Sequence, residues 1–125
     1  MILNLDWRRE TSALGNEVQY EIRPLRVWAF QELMAFWEGR QHESRDGQAV
    51  AQVTPAESLK LMEVARRIFP DHVRHLAGVT LIREGGPQPA TLEDLCDESP
   101  LIELAGEILG KLVAISELKP ESEKN

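Results

Sequence analysis

Two short stretches near the start of the chain alternate between apolar and polar residues. Alternation with a period of two is typical of a strand that buries one face. Residues 11–16 between them contain Ser12, Gly15 and Asn16, which favour a turn. The apolar members of the two stretches are Leu3, Leu5, Trp7, Val18, Tyr20 and Ile22. The pattern predicts a β-hairpin within residues 1–24, with Pro24 ending its second strand.

After the hairpin, apolar residues recur at three- and four-residue steps, which predicts helices. A first helix is predicted over residues 26–38, ended by Gly39. A second helix, which starts with a capping box, is predicted over residues 55–68, and Pro70 is expected to interrupt it. The predicted core face of this second helix is Leu59, Met62, Ala65 and Phe69.

Shorter elements are predicted in the second half of the chain. Residues 71–77 are interpreted as one more helical turn, and residues 79–82 as either a short strand or an extended segment. A turn at residues 85–87 is followed by a short helix that begins near Thr91. The last helix is predicted over residues 100–118. Its apolar stripe is Leu101, Leu104, Ala105, Ile108, Leu112 and Ile115.

These elements predict an α+β fold that is mostly α, with an N-terminal β-hairpin followed by a small bundle of about four or five helices. The chain has 125 residues, 42% of them hydrophobic, which is enough for one core. We therefore expect a single domain over residues 1–118, divided into the hairpin (1–24) and a helical part (25–118). Residues 39–52 are predicted to form a surface loop, and residues 119–125 a disordered tail.

Composition and charge narrow the classes of partner and location. The net charge of −7 and the scattered distribution of the 14 basic residues argue against a nucleic-acid partner. No apolar stretch approaches the roughly 20 residues that span a bilayer, so no membrane span is expected. The start of the chain does not resemble a secretory signal, and Cys96 is the only cysteine. The chain is therefore predicted to be cytoplasmic and free of internal disulfides.

The residue types that carry catalysis or bind metal form no recognisable signature. His72 and His75 are three residues apart, but a zinc site needs three or four ligands. No histidine is oriented towards Cys96 by the pattern, and no glycine-rich phosphate motif is present. The acidic residues near 93–98 lie at predicted helix starts, where the helix dipole favours them. We expect no enzyme activity, no metal and no cofactor.

Two sets of residues are candidates for binding another chain. Aromatic side chains are concentrated on the first helix, where they fit either the core or a partner contact. They are Trp28, Phe30, Phe36 and Trp37. Gly106 and Gly110 lie four residues apart on the last helix, where each costs about 1 kcal/mol relative to alanine. Close packing at these glycines would involve a helix of the same chain, a partner helix or a second copy.

The order of these parts resembles the tail assembly chaperones of long-tailed bacteriophages and prophages. The resemblance covers residues 20–118 and is one of pattern rather than of a diagnostic motif. It is carried by the sequence Ile22-Arg23-Pro24-Leu25 before an aromatic helix, by Thr91-Leu92-Glu93-Asp94-Leu95, and by Ser99-Pro100-Leu101 before a long helix ending Leu112-Val113-Ala114-Ile115-Ser116.

The resemblance implies a helical chaperone of the host cytoplasm, with a small β element, that keeps the hydrophobic tape measure protein soluble during tail assembly. It would be absent from the finished virion, and many members also have a longer, frameshifted form. The alternatives are an acidic protein-binding adaptor and a structural tail or head-completion subunit. Self-association is also expected, because an isolated two-stranded hairpin is marginally stable and a strand from a second copy would complete it.

Overall fold

A computed structural model of the chain describes residues 1–41 and 54–117. Most of the predicted surface loop and the whole predicted tail lie outside the described residues. The described part is mixed α/β. Its elements are β1 (Arg8–Thr11), β2 (Gln19–Ile22), α1 (Val27–Gln41), α2 (Pro55–His72), β3 (Val73–Ala77), β4 (Thr80–Arg83), β5 (Gly86–Pro89), α3 (Leu92–Asp97), a 3-10 turn (Ser99–Leu101) and α4 (Ile102–Ser116).

The predicted N-terminal hairpin is confirmed, but its first strand starts later than expected. Strands β1 and β2 pair antiparallel, with Arg8 opposite Ile22. Before β1, the side chain of Asn4 accepts a hydrogen bond from the backbone N–H of Asp6 (3.0 Å), and the side chain of Asp6 accepts one from Trp7 (2.8 Å). These local bonds compete with strand pairing. Leu3 and Leu5, which were predicted to face the core, are therefore exposed.

The predicted helical turn over residues 71–77 is wrong. Asp71 and His72 complete α2, and Val73–Ala77 form β3, which pairs antiparallel with β2 in a three-stranded sheet of order β1-β2-β3. Gly78 lets the chain leave β3 at φ +86, where an added Cβ would lie 1.8 Å from the carbonyl oxygen of Glu17. Only glycine fits so close an approach. Strand β3 of the same chain thus completes the hairpin, so a strand from a second copy is not needed for that purpose. Self-association stays a prediction.

Helix α2 contacts α1, α3, α4 and β3 and is the central element of the fold. It begins with the predicted capping box of Thr54 and Glu57. It then continues through Pro70 to His72, contrary to the predicted interruption. The ring of Pro70 faces solvent while Phe69 and His72 beside it are buried, so packing holds the last turn in place. Helix α1 likewise extends beyond Gly39 to Gln41.

The face that α2 presents to the core is wider than predicted, and one of the four predicted core residues is exposed. Leu59 is 65% exposed, because the buried stripe lies further round the helix. The residues it buries are Leu61, Met62, Val64, Ala65, Ile68, Phe69 and His72. Met62, Ala65 and Phe69 were predicted correctly.

The ambiguous segment before the glycine turn forms a second hairpin, β4–β5, with Thr80 opposite Pro89. Its strand β5 is followed by α3, which starts with a capping box between Thr91 and Asp94. Arg83 on β4 donates to the carboxylate of Asp94 at 2.7 Å and to that of Glu98 at 3.1 Å. These two ion pairs fasten the second hairpin to α3.

One continuous core joins the sheet to all four α-helices. Helix α4 contributes most of the predicted stripe, with Leu104, Ala105, Ile108 and Leu112 buried. From the sheet, Tyr20, Ile22 and Val73 face the same core. The predicted bundle of four or five helices is therefore matched only loosely, because five strands accompany the four α-helices of the described residues. In the same part of the chain, every helix is too short or too polar to cross a membrane.

Candidate protein-binding surface

An exposed apolar surface lies where the N-terminal segment meets the start of α1. We call it the N-terminal apolar surface, and it consists of Leu3, Leu5, Pro24, Leu25 and Val27. The exposed fractions are 47% for Leu3, 68% for Leu5 and 74% for Val27. Two shallow grooves run through it and share Leu5 and Pro24, so these side chains form one contiguous surface. Apolar surface of this kind, bordered by polar residues, is typical of a protein-binding site.

The backbone beneath this surface is held by two other elements. The N–H of Leu25 donates to the hydroxyl of Ser116 at the end of α4, at 2.8 Å. The N–H of Arg26 donates to Nε2 of His72 at the end of α2, at 3.0 Å. Because α1 starts at the next residue, both bonds fix the direction in which it leaves the sheet. The surface is therefore a rigid feature rather than a loose segment.

His72 acts in this arrangement as a neutral, buried hydrogen-bonding group. Its Nδ1 lies 2.7 Å from the carbonyl oxygen of Ile68, to which it donates, so Nε2 is the acceptor for Arg26. Burial lowers the pKa of His72, and the nearby charges of Arg23 and Arg26 lower it further. The ring of Trp28 meets the imidazole edge to face, with centroids 5.9 Å apart.

Basic side chains border the N-terminal apolar surface. Arg8 lines one groove, and Arg23 and Arg26 line the other. Arg23 also places its guanidinium 4.6 Å from the centre of the Trp7 ring, and Arg74 of β3 places its own 4.3 Å from the same ring. Such cation–π contacts hold guanidinium groups in position at a surface.

Glu21, on the outer face of the sheet, neutralises part of the positive charge of the neighbouring arginines. Glu21 pairs with Arg74 at 2.8 Å, with His75 at 3.1 Å and with Arg9 at 3.6 Å. The hydrogen bond from Arg74 lowers the pKa of Glu21, and the charges of His75 and Arg9 add to that effect. The carboxylate of Glu21 thus stays ionised and is shared among three neighbours.

The predicted aromatic contacts are placed unequally. Trp28 is 40% exposed and lies beside Val27 in the chain. Phe36 and Trp37 are half-buried, pack against the core and contact each other at a centroid distance of 5.1 Å. Phe30 is half-buried as well. Trp28 is therefore the aromatic side chain best placed for a partner contact, and a binding role for the four stays a prediction.

Gly106 and Gly110 do not lie at a helix crossing within the described residues. Both face outwards, and a Cβ added at either would meet no atom within 4 Å. The proposed intramolecular crossing is thus wrong for this part of the chain. Packing against a partner helix or a second copy stays a prediction.

A further apolar groove, of about 370 Å³ and separate from the N-terminal apolar surface, lies between the start of α2 and the start of α4. Leu59 and Ile102 line it together with Met62 and Cys96. Burial raises the pKa of the Cys96 thiol. A thiol of that kind is a poor nucleophile at neutral pH, so the groove offers apolar contact and not covalent chemistry.

The candidate catalytic and metal-binding side chains are dispersed. His72 is buried at the end of α2, while His75 is exposed on the outer face of the sheet at φ +57. No three histidine, cysteine or carboxylate side chains of residues 1–41 and 54–117 come together as metal ligands. Asp94 is buried, but the hydrogen bond from Arg83 lowers its pKa to about 2. It is a capping and ion-pairing residue without a free proton to transfer.

Sequence reasoning missed the central residues of the surface. Leu3 and Leu5 were assigned to a buried strand face, and Val27 was not among the candidate contact residues. One signal was available: α1 is apolar around most of its circumference, and a helix of that kind contacts something on more than one side. No protein family, curated protein or solved structure matches this chain.

Proposed function

We propose that this chain is a noncovalent protein-binding protein, and more specifically a tail assembly chaperone of a long-tailed phage or prophage that keeps the tape measure protein soluble. The observation that carries the binding proposal is the N-terminal apolar surface. Leu5 and Val27 remain more than half exposed although a buried core is available nearby. The more specific assignment is supported by the resemblance in the order of the parts.

A chaperone that prevents aggregation binds apolar segments without altering them covalently. It needs exposed apolar side chains at fixed positions and a charged exterior that keeps the complex soluble. The N-terminal apolar surface supplies the first requirement, and the net charge of −7 supplies the second. Trp28, which follows Val27 in the chain and is 40% exposed, is a suitable anchor because tryptophan is enriched at interface hot spots.

The experiment is co-expression with the product of the nearest long reading frame whose sequence predicts a helix-rich protein, called the long protein below. We expect the two proteins to co-purify, and the long protein to stay soluble only when this chain is present. A Leu5→Asp/Val27→Asp double variant is expected to abolish both effects, because charges would replace the exposed apolar contacts. Leu59→Asp is the matched control, since Leu59 is also 65% exposed but lies in the other groove.

Two results would contradict the proposal in different ways. If the double variant folds and keeps the long protein soluble as well as wild type does, the N-terminal apolar surface is not the binding site. If the chain is found in purified phage particles instead, the structural-subunit alternative is favoured. Circular dichroism of each variant establishes that the fold is retained.

A further inference from the structure

The N-terminal apolar surface is bordered by positive charge in a chain that is acidic as a whole. Among the described residues, the two grooves are lined by Arg8, Arg23 and Arg26 and by one carboxylate residue, Glu117. The net charge of the chain is −7. The sign of the charge is therefore locally reversed around the exposed leucine and valine side chains.

Arg8 has a donor that the described residues leave unused. Its terminal NH2 group donates to the backbone carbonyl of Asn4 at 3.1 Å. Its Nε is buried and has no hydrogen-bond partner in the described part of the chain. A buried donor without a partner is costly, and a carboxylate oxygen is the acceptor that guanidinium groups pair with most strongly.

Arg23 is held in place beside the same surface. Its Nε donates to the backbone carbonyl of Asp71 at 2.7 Å, and its guanidinium lies over Trp7. A guanidinium carries five N–H donors, so the Nε contact leaves the terminal nitrogens for another acceptor. Asp71 itself is exposed.

Arg26 precedes α1 and is exposed. Its backbone is fixed, because its N–H donates to His72 and its carbonyl accepts from Phe30 at 3.0 Å. Its side chain therefore projects from a rigid point next to Val27. Together the three arginines surround apolar side chains with positioned positive charge.

We propose that the partner segment bound at the N-terminal apolar surface is acidic as well as apolar, with Asp or Glu side chains placed beside its apolar residues. This inference rests on the proposed protein-binding function and specifies the chemistry of the partner. Carboxylates of the segment pair with Arg23 and Arg26 at the rim, and the positive charge of Arg8 attracts a further one. Complementary charge of this kind selects the partner and raises the association rate more than it raises affinity.

A protein segment fits these observations better than a nucleic acid does. Exposed leucine, proline and valine side chains lie between the arginines, and they match apolar side chains rather than a sugar–phosphate backbone. The remaining surface is acidic and would repel a long polyanion.

The test uses two labelled synthetic helical peptides with the same leucine and alanine positions, one carrying glutamates at its polar positions and the other lysines. Fluorescence anisotropy with the full chain gives both dissociation constants. We expect the glutamate peptide to bind about tenfold more tightly, although the chain itself is acidic, and the preference to shrink when salt is raised from about 0.05 to 0.5 M. A labelled single-stranded oligonucleotide is expected to bind far more weakly.

Arg26→Glu is expected to remove the preference for the glutamate peptide. Lys60→Glu is the matched control, because it changes the net charge equally but lies on α2, away from this surface. An Arg23→Gln variant provides a second, milder test. Equal or tighter binding of the lysine peptide, binding of neither peptide, an unchanged preference in Arg26→Glu, or equally tight binding of the oligonucleotide would each overturn the inference.

The outcomes separate this inference from the proposed function. The chaperone proposal fails if the wild-type chain neither co-purifies with the long protein nor keeps it soluble, and the assignment of the binding site fails if Leu5→Asp/Val27→Asp keeps the long protein soluble as well as wild type does. The charge inference fails if that double variant loses activity while Arg26→Glu behaves like wild type in both assays.

Discussion

The interior of the chain and its N-terminal apolar surface differ in how well their side chains match their surroundings. In the interior, the carboxylate of Glu107 accepts hydrogen bonds from Ser12, Ala13 and Tyr20, at 3.1, 2.8 and 2.8 Å respectively. Outside, Leu5 and Val27 are apolar and exposed. The difference indicates that the fold does not need the exposed side chains for stability, so they are available for binding.

The largest expected effect tests the two regions directly by truncating one apolar side chain in each. Phe69→Ala, which opens a cavity beneath α2, is expected to lower the free energy of unfolding by about 3–5 kcal/mol. Val27→Ala is expected to change it by less than about 0.5 kcal/mol, because the side chain is already in water. Urea unfolding followed by circular dichroism measures both.

The comparison breaks if Val27→Ala destabilises the chain nearly as much as Phe69→Ala does. Val27 would then support the fold rather than serve a partner. That result would contradict the assignment of the N-terminal apolar surface as the binding site.

The second prediction concerns the polar contacts that tie the first hairpin to α4. Glu107→Ala is expected to cost about 2 kcal/mol, because it leaves the buried Tyr20 hydroxyl and two further donors without their acceptor. Those same donors lower the pKa of Glu107, whereas burial acts in the opposite direction. Glu103→Ala is the control on the same helix. Glu103 is exposed, so its loss is expected to cost less than about 0.5 kcal/mol.

The third prediction concerns His72, which joins the interior to the base of the surface. Its pKa is lowered, so between that pKa and the value of about 6.5 for a free histidine the unfolded chain binds the extra proton first. The stability contributed by neutral His72 is therefore complete above about pH 6.5 and is lost as the pH falls below it. Protonation would also remove the acceptor for the N–H of Arg26, at the point where α1 starts.

Unfolding measured from pH 8 to pH 5 checks this prediction. His72→Leu is expected to flatten the pH dependence and to cost about 1–3 kcal/mol at neutral pH, since it leaves the N–H of Arg26 without its acceptor. His75→Asn is the control, because asparagine tolerates the positive φ of that position and His75 is exposed. If His72→Leu keeps the full loss of stability in acid, the assignment of that loss to His72 is wrong.

Much of the fold could be predicted where one local signal dominated. The capping boxes at Thr54 and Thr91 and the stripe of α4 were visible because each depends on spacing within a few residues. Strand β3 was not predicted, because its pairing partner is β2, more than 50 positions earlier in the chain. Sheet pairing at such a separation leaves no periodic signal over five residues.

The candidate site was harder to predict than the fold. The alternation of Leu3 and Leu5 favours a strand, and only the side-chain hydrogen bonds of Asn4 and Asp6 show that the backbone turns away before β1 begins. The exposure of these leucines depends on that turn and on where α1, which comes about 20 residues later in the chain, lies in the fold. An apolar residue at a binding surface and one in a core look alike in a single sequence.

The smallest expected effect has the opposite sign and concerns the outer face of α4. Gly106→Ala and Gly110→Ala are each expected to raise the free energy of unfolding by roughly 0.5–1 kcal/mol, because alanine favours the helix and its Cβ meets open space in the described structure. Co-purification of the variants with the long protein then shows whether α4 binds that protein in addition to the N-terminal apolar surface. If a Gly106→Ala/Gly110→Ala double variant is more stable and still binds, the outer face of α4 takes no part in binding. If it is more stable but no longer binds, the glycines are contact points for a partner helix and are not required by the fold. The surface around Leu5 and Val27 is then one of two binding regions.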